Sequence, residues 1–323
     1  MLRSILATGK NAKTPYYARN LLRWCMPPAL VRRRLAATLA SLDERPDREA
    51  ILERVDYYNR LDGPTPLPAS APRIGDFRLG RKLTVYFFDS YEYVRWFDPA
   101  LRWDYLFGDI KHVPAHPSIV KSRPIQGDNR NSVLLNLDKV RHFIFLDDRR
   151  AFGEKCDQAI FRGSIRHKPH RRRFLEMFHG HPLCDAASVK DGDEAPPEWR
   201  GRPLTLHDHL RYKFIVSLEG NDVASNLKWA MSSNSVAVMP RPTYETWFME
   251  GTLVPDHHYI EIRPDYADFE EKMRHYIAHP AEAEQISRNA HAYVRQFRDP
   301  RRERLASLLV LRKYFERTGQ VGT

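Results

Sequence analysis

The sequence has few cysteines, no long hydrophobic run and, over its first 42 residues, no acidic side chain. The three cysteines, Cys25, Cys156 and Cys184, form no CxxC pair. They argue against a disulfide scaffold and a cysteine-rich zinc site, and they favour a reducing compartment. No apolar stretch approaches the roughly 18 residues that a membrane-spanning helix needs, so the sequence predicts no such helix.

The remaining composition is that of a globular protein. Hydrophobic residues make up 42% of the 323 residues and charged residues 29%, which excludes a disordered, collagenous or fibrous chain. The length predicts two domains of roughly 150 residues each, or one large domain.

Because residues 1–42 contain no aspartate or glutamate, they form a basic N-terminal segment. Its eight lysines and arginines supply most of the net charge of +11, and Trp24, Met26 and several leucines lie between them. This pattern is typical of amphipathic helices that lie on an anionic membrane face. A basic helix docked on its own domain explains it equally well. Nucleic acid is a third possibility, although the aromatic residues follow no known RNA-binding pattern.

Short apolar runs alternate with helical patterns beyond a proline-rich linker at 63–76. We predict strands at 83–88, 118–120, 133–137, 143–146, 159–161, 214–218, 236–239 and 259–262. We predict helices at 43–62, 169–179, 223–233, 243–251, 265–279, 281–297 and 300–317. This alternation indicates an α/β fold with mostly parallel sheets, in which ligands bind at the carboxyl ends of the strands.

The first candidate site is FRGS, residues 161–164, directly after a predicted strand. Gly163 would let the backbone approach a ligand closely, and Ser164 can donate a hydrogen bond. Arg162 and Arg166 offer forked donors that suit phosphate oxygens. A plain strand-exit turn is the alternative. The basic run 161–173 as a whole suits a phosphate or diphosphate, although residues 171–173 are partly a solvated helix face.

The second candidate site is SLEGNDVASNLKW, residues 217–229, between a predicted strand and a helix that we expect to start near Ala224. Free N–H groups at a helix start bind anions, and Lys228 could add a positive charge. In the alternative reading, Asp222 is a simple N-cap.

The third candidate, YETWFMEG at 244–251, contains two carboxylates, Glu245 and Glu250, either of which could hold the two hydroxyls of a ribose. Its Trp247 and Phe248 fit core packing better than ligand binding.

The fourth candidate is Asp109, which follows Gly108 in a predicted loop and is a possible general base. Lys121 and Arg123 are the neighbours expected to keep it ionised. A turn aspartate is the alternative.

In this order the motifs resemble glycosyltransferase family 90. That family includes bacterial lipopolysaccharide-core and capsule-associated transferases and the Rumi-type protein O-glucosyltransferases of animals. The resemblance runs from about 105 to about 297 and is strongest toward the bacterial branch. The segments that carry it are KSRPI (121–125), RHF (141–143), FRGS (161–164), YKFIVSLEGNDVASNLKWAM (212–231) and WFMEG…HHY (247–259).

The resemblance implies a GT-B architecture, in which two Rossmann-like domains face each other across a cleft. It also implies inverting, metal-independent transfer of a hexose from a UDP-sugar to a hydroxyl of a lipopolysaccharide-core or other surface-glycan acceptor. We predict four divisions of the chain: a basic helical segment and linker (1–80), which the resemblance does not cover, an acceptor domain (81–150), a donor domain (151–298) and a C-terminal helix (299–323) that we expect to pack on the acceptor domain.

The resemblance also assigns site residues. Asp109 aligns with the catalytic base of the animal enzymes, and Lys121 and Arg123 fall on the acceptor side. The implied donor-binding residues are Arg162, Gly163, Ser164, Arg166, Gly220, Asn221, Ser225, Asn226, Lys228, Glu245 and Glu250. The animal branch has an arginine where this chain has Asn226, so that diphosphate contact is missing or comes from Lys228, Arg162 or Arg166.

No metal or other cofactor is expected, because the UDP-sugar is a co-substrate. Asp191-Gly192-Asp193 has the DxD spacing that metal-dependent glycosyltransferases use, but its polar surroundings predict a solvated loop. The histidine pairs at 179/181, 207/209 and 257/258 lack a third ligand at a recognisable spacing.

The expected location is cytoplasmic, peripheral on the inner face of the bacterial inner membrane, with residues 1–42 on anionic lipid and a glycan or lipid-linked acceptor as partner. Two alternatives remain: a non-catalytic nucleotide-sugar or glycan-binding protein of this fold, and a nucleic-acid-binding protein. The strand–glycine–helix loops argue against nucleic acid.

Overall fold

The computed structural model describes residues 13–190 and 192–322 and divides the chain into two compact units. We call Arg141–Pro242 with Thr252–Gln296 the large-sheet unit, and Lys13–Val140 with Thr243–Gly251 and the residues from Phe297 onward the small-sheet unit. Residues 1–12 of the basic N-terminal segment, and Asp191 of the DxD spacing, lie outside the described residues.

The helices, in chain order, are α1 (Lys13–Cys25), α2 (Ala29–Arg32), α3 (Leu35–Ala40), α4 (Arg48–Tyr58), α5 (Thr84–Val94), α6 (Lys139–His142), α7 (Pro169–Phe178), α8 (Leu206–His209), α9 (Leu227–Met231), α10 (Phe269–Ala278), α11 (Pro280–Arg295) and α12 (Pro300–Arg317). The strands are β1 (Tyr105–Leu106), β2 (Ser118–Val120), β3 (Ser122–Pro124), β4 (Ser132–Leu134), β5 (Cys156–Gly163), β6 (Cys184–Ser188), β7 (Tyr212–Val216), β8 (Val236–Met239), β9 (Tyr244–Thr246) and β10 (Ile260–Glu261).

The large-sheet unit contains a five-stranded sheet in the order β10-β8-β7-β5-β6, and every neighbouring pair is parallel. Counted along the chain this order is 2-1-3-4-5, which is the flavodoxin-like order of doubly wound sheets. Its strands read as short apolar runs because both faces are buried, as in VAVM of β8. The α/β class with parallel sheets is therefore confirmed.

Aromatic side chains form much of the core of the large-sheet unit. Phe174 of α7 meets Phe161 of β5 edge-on, with 5.4 Å between ring centroids, and packs in the same way on Phe269 of α10. Proline at the first position of α7 fixes the backbone for a helix start, so α7 begins directly after the loop that follows β5.

The small-sheet unit contains a parallel sheet, β1-β2-β4, and an antiparallel pair, β3 and β9. Tyr58 of α4 stacks on Trp247 at 3.8 Å between centroids. Arg54 of α4 forms a buried ion pair of 2.8 Å with Glu303 of α12. These contacts join the first part of this unit to segments that arrive much later in the chain.

Most of the predicted elements are confirmed, but three predictions are wrong. The run at 83–88 opens α5 instead of a strand, because aromatic residues bury this helix on several faces and hide its helical period. Residues 143–146 form no strand, and 243–251 holds β9 and a 3₁₀ turn instead of a helix.

None of the helices in the described part of the chain is both long and apolar enough to cross a membrane.

Candidate functional site

Two of the predicted motifs follow neighbouring strands of the large sheet. FRGS closes β5 and leads into the loop to α7, which we call the β5 loop (162–168), while the residues after β7 form the β7 loop (217–226). In the 2-1-3-4-5 order the strand sequence reverses between β5 and β7. Ligands of doubly wound sheets bind at this reversal, outside the carboxyl ends of the strands.

Arg171, in the first turn of α7, joins the two loops. Its guanidinium donates to the carbonyl of Ser164 in the β5 loop at 3.2 Å, and to the carbonyls of Leu218 and Glu219 in the β7 loop at 2.7 Å each. Burial lowers the pKa of Arg171 to about 10, which leaves it charged at neutral pH. Its acceptors in the described part of the chain are all backbone carbonyls, so no carboxylate there forms an ion pair with it.

The sequence places Arg171 in the basic run 161–173 that suits a phosphate or diphosphate, but it assigns 171–173 partly to a solvated helix face and gives Arg171 no place among the predicted site residues. Its position in the first turn after Pro169 was the available signal, because that turn faces the preceding loop. The absent side chain of Gly163 also has a role here: a Cβ atom at this position would lie 3.2 Å from Nη1 of Arg171 and 3.0 Å from the ring of Phe161. Glycine therefore permits the close approach of the guanidinium.

Arg162, one of the two arginines predicted for this site, points along the sheet edge toward β6. It donates to the carbonyl oxygen and to Oδ1 of Asp185, both at 2.7 Å, while Tyr212 donates to Oδ2 of Asp185 at 2.6 Å. The Nε atom of Arg162 is buried and has no hydrogen-bond partner among the described residues. The side chain of Arg166 is exposed.

The sequence predicts that the residues of the DxD spacing lie in a solvated loop, and for Asp193 this prediction is wrong. Its side chain is buried, with 4% exposure, and its carboxylate accepts hydrogen bonds from the hydroxyls of Ser164 and Ser188, at 2.6 Å each. It also accepts the N–H of Ile165 at 2.8 Å. Burial alone would raise the pKa of Asp193, but these hydrogen bonds outweigh it and lower the pKa below its usual range.

The β7 loop presents Asn221 and Ser225 to solvent and turns back on itself at Gly220, whose N–H donates to the carbonyl of Asp222 at 2.9 Å. Asn226 donates to the carbonyl of Val216 at 3.0 Å. The following helix, α9, begins at Leu227 and has five residues, so the expected start near Ala224 is wrong. Lys228 within α9 is fully buried.

In the small-sheet unit, Asp109 follows β1 and Lys121 follows β2. Because β1 and β2 are parallel neighbours, both side chains emerge at the same sheet edge, where Nζ of Lys121 forms an ion pair with Asp109. Lys121 is 1% exposed, whereas 23% of the Asp109 side chain remains accessible. Gly108 supplies the φ of +119° that the turn before Asp109 needs.

Arg123 does not join this pair. Its guanidinium donates to Glu245 at 2.7 Å and to the carbonyl of Tyr57 at 2.6 Å, and both Arg123 and Glu245 are fully buried. The hydroxyl of Tyr57 also donates to Glu245. Because Glu245 is fully buried, a ribose could reach it only if the residues that cover it moved.

Glu250, the other predicted ribose ligand, is also buried in the small-sheet unit. It accepts from the backbone N–H of Thr246 at 2.7 Å and from its hydroxyl at 2.9 Å. Its role in donor binding stays a prediction.

The one trio of possible metal ligands found among the described residues lies elsewhere. Donor atoms of His275, His279 and Glu282 come within 4.8 Å of one another, and all three side chains are exposed. None of the histidine pairs noted in the sequence belongs to this trio. Its members lie on both sides of the break between α10 and α11, so no single helix pattern in the sequence brings them together.

Comparison with known proteins assigns the family. The family described as Glycosyl transferase family 90 matches residues 137–299. The O-glucosyltransferase LpsA of Dichelobacter nodosus is 43% identical over 305 residues, which are 94% of this chain and 95% of that protein. Protein O-glucosyltransferase 3 of Homo sapiens is 29% identical over 168 residues, 50% of this chain and 32% of that protein.

The chain therefore belongs to glycosyltransferase family 90 and is a glycosyltransferase. The resemblance drawn from the motifs is confirmed, and the matched range contains both the β5 loop and the β7 loop.

Proposed function

We propose that this glycosyltransferase moves glucose from UDP-glucose to a hydroxyl of a lipopolysaccharide-core or other surface-glycan acceptor, with inversion at the anomeric carbon. O-glucosyl transfer is what the names of the bacterial and the human relative state. The observation that carries the donor site is the bridge by Arg171 between the two loops at the reversal point of the large sheet.

The charge of Arg171 supports a diphosphate as its ligand. The guanidinium donates to carbonyls and forms no ion pair with a carboxylate of the described residues, so a diphosphate between the two loops would give it a direct anionic partner. We expect the donor to be held by Arg162, Gly163, Ser164, Arg166, Gly220, Asn221, Ser225, Asn226 and Lys228, with Glu245 or Glu250 on the ribose.

In the proposed reaction the acceptor hydroxyl attacks the anomeric carbon on the face opposite UDP. A new carbon–oxygen bond forms while the bond to the diphosphate breaks, and the hydroxyl proton passes to Asp109. Nζ of Lys121 forms an ion pair with this carboxylate. UDP leaves with the bonding electron pair, and the arginine and lysine side chains of the donor site stabilise its negative charge without a metal. This scheme requires a GT-B arrangement of the two units, which we propose.

A screen of UDP-sugars for acceptor-dependent UDP release, with and without EDTA, tests this function. We expect UDP-glucose to be used in preference to UDP-galactose and UDP-N-acetylglucosamine, with turnover unchanged by EDTA. Strict dependence on manganese would contradict the metal-independent mechanism. Release of UDP from none of these donors would contradict the proposed donor class.

We also propose that the enzyme binds peripherally to anionic membranes of the cytoplasmic face. One face of α1 packs on α5, where Tyr16 donates to Asp89 at 2.8 Å and Arg23 pairs with Glu92. Large apolar side chains stay exposed nearby, including Leu22 at 71% and Trp24 at 43%. Exposed apolar side chains among cations suit an anionic lipid surface.

Sedimentation with phosphatidylglycerol vesicles at low salt tests this surface. We expect the wild type to sediment with these vesicles and not with phosphatidylcholine alone, and the double variant Leu22→Ser with Trp24→Ser to sediment less. Val254→Ser, which changes an exposed valine of the large-sheet unit, is the matched control. A wild type that stays in the supernatant with both lipids would refute membrane binding.

A further inference from the structure

The segment after β6 places one carboxylate against the β5 loop. Oδ1 of Asp193 accepts the hydroxyl of Ser164 at 2.6 Å and the N–H of Arg166 at 3.3 Å. Oδ2 accepts the hydroxyl of Ser188 at 2.6 Å and the N–H of Ile165 at 2.8 Å. Each oxygen therefore binds one serine hydroxyl and one backbone N–H.

This distribution makes the position specific for a carboxylate. An amide side chain has one oxygen and one NH₂ group, and either of its two orientations would bring the NH₂ against a backbone N–H. A serine hydroxyl can rotate to become an acceptor, but a backbone N–H cannot. Asparagine at position 193 would therefore leave a donor facing a donor in a buried site, which the loop could relieve only by moving.

The other side of the same loop is held by Arg171, which donates to the carbonyl of Ser164 at 3.2 Å. Ser164 thus receives a hydrogen bond at its carbonyl from a guanidinium and gives one from its hydroxyl to a carboxylate. Two charged groups from separate parts of the chain, Arg171 and Asp193, therefore hold Ser164 of the β5 loop from opposite sides.

We propose that Asp193 is a positioning residue for donor binding, which fixes the backbone of residues 164–166 in the conformation that the diphosphate of the donor requires. The proposal rests on the proposed function of the β5 loop. We expect Asp193 to make no contact with the donor, because each of its oxygens already accepts two hydrogen bonds from the protein, and to act through Ser164, Ile165 and Arg166.

Calorimetric titration with UDP tests the proposal on the whole protein. We expect Asp193→Asn to weaken UDP binding roughly tenfold and to raise KM for the donor while KM for the acceptor stays unchanged. The matched control is Asp148→Asn, since Asp148 is a buried aspartate of the same unit that pairs with Lys155 at 2.8 Å. Its loss would lower stability without this selective effect on the donor.

A milder variant, Ser188→Ala, keeps the carboxylate and removes one of its four hydrogen bonds, so it decides the question if Asp193→Asn does not fold. We expect it to weaken UDP binding by about threefold. Folded variants at 193 and 188 with wild-type UDP affinity and donor KM would overturn the positioning role. A folded wild type that binds no UDP would instead overturn the proposed function.

Discussion

Replacement of Arg171 perturbs the candidate donor site at a group that donates to both loops. Arg171→Met keeps a side chain of similar length and removes three hydrogen bonds and one positive charge. Hydrogen bonds to a charged group contribute about 1.5–3 kcal/mol each, so their combined loss is on the order of 4–9 kcal/mol. These values are net contributions, so they already include the cost of burying the charged guanidinium. We therefore expect the free energy of unfolding to fall by roughly 4 kcal/mol or more.

Urea unfolding measures this stability change, and calorimetry with UDP measures the functional one. We expect Arg171→Met to weaken UDP binding by at least about tenfold. For Arg171→Lys we expect a stability and a UDP affinity between those of Arg171→Met and the wild type. Lysine keeps the charge but lacks the rigid planar group that reaches both loops. Arg173→Met, at an exposed position of the same helix, should change neither quantity. A folded Arg171→Met protein with wild-type affinity for UDP would refute the assignment of the donor site.

Three further predictions concern other residues. Asp109→Asn should lower turnover by about 10²–10⁴ while UDP affinity is kept, whereas Asp128→Asn, at an exposed position of the same unit, should leave turnover unchanged; normal turnover of the first variant would exclude Asp109 as the base. The pKa of Asp193 is lowered in the fold, so the stability it contributes is present above its unfolded pKa of about 3.9 and is lost as pH falls through the lower folded pKa. The free energy of unfolding, measured in urea, should therefore differ between the wild type and Asp193→Asn at pH 7, and the difference should be smaller at pH 3. A larger difference at pH 3 would contradict this. Arg54→Met strands the buried carboxylate of Glu303 and should lower the free energy of unfolding by about 3–5 kcal/mol; an unchanged urea midpoint would show that this ion pair contributes little.

The sequence was sufficient to place the two loops of the candidate site, because their signal is local. Gly163 and Gly220 each follow a short apolar run, and such a run followed by glycine and polar residues predicts a strand exit in an α/β protein. The contact between Lys121 and Asp109 was also predicted, and it follows from the parallel pairing of β1 with β2.

The residues that hold the loops could not be predicted in the same way. Arg171 bonds to carbonyls that lie 47 and 48 residues further along the chain, and Asp193 bonds to a loop that precedes it by 27 to 29 residues. No periodic pattern encodes such contacts, since they depend on which strands become neighbours. The pairing of Arg123 with Glu245, 122 residues apart, was missed for the same reason.

The division of the chain has a consequence for biosynthesis. The small-sheet unit is built from three separate segments of the chain: residues 13–140, residues 243–251 with β9 and Trp247, and the residues from 297 onward with α12. The ribosome therefore synthesises these segments at three different times. Tyr58 has no ring to stack on, and Arg54 no carboxylate to pair with, until some 190 to 250 further residues have been made. At about 5–20 residues per second this delay lasts on the order of ten seconds or more. The large-sheet unit, complete by residue 296, can reach its final packing before the unit that begins the described chain.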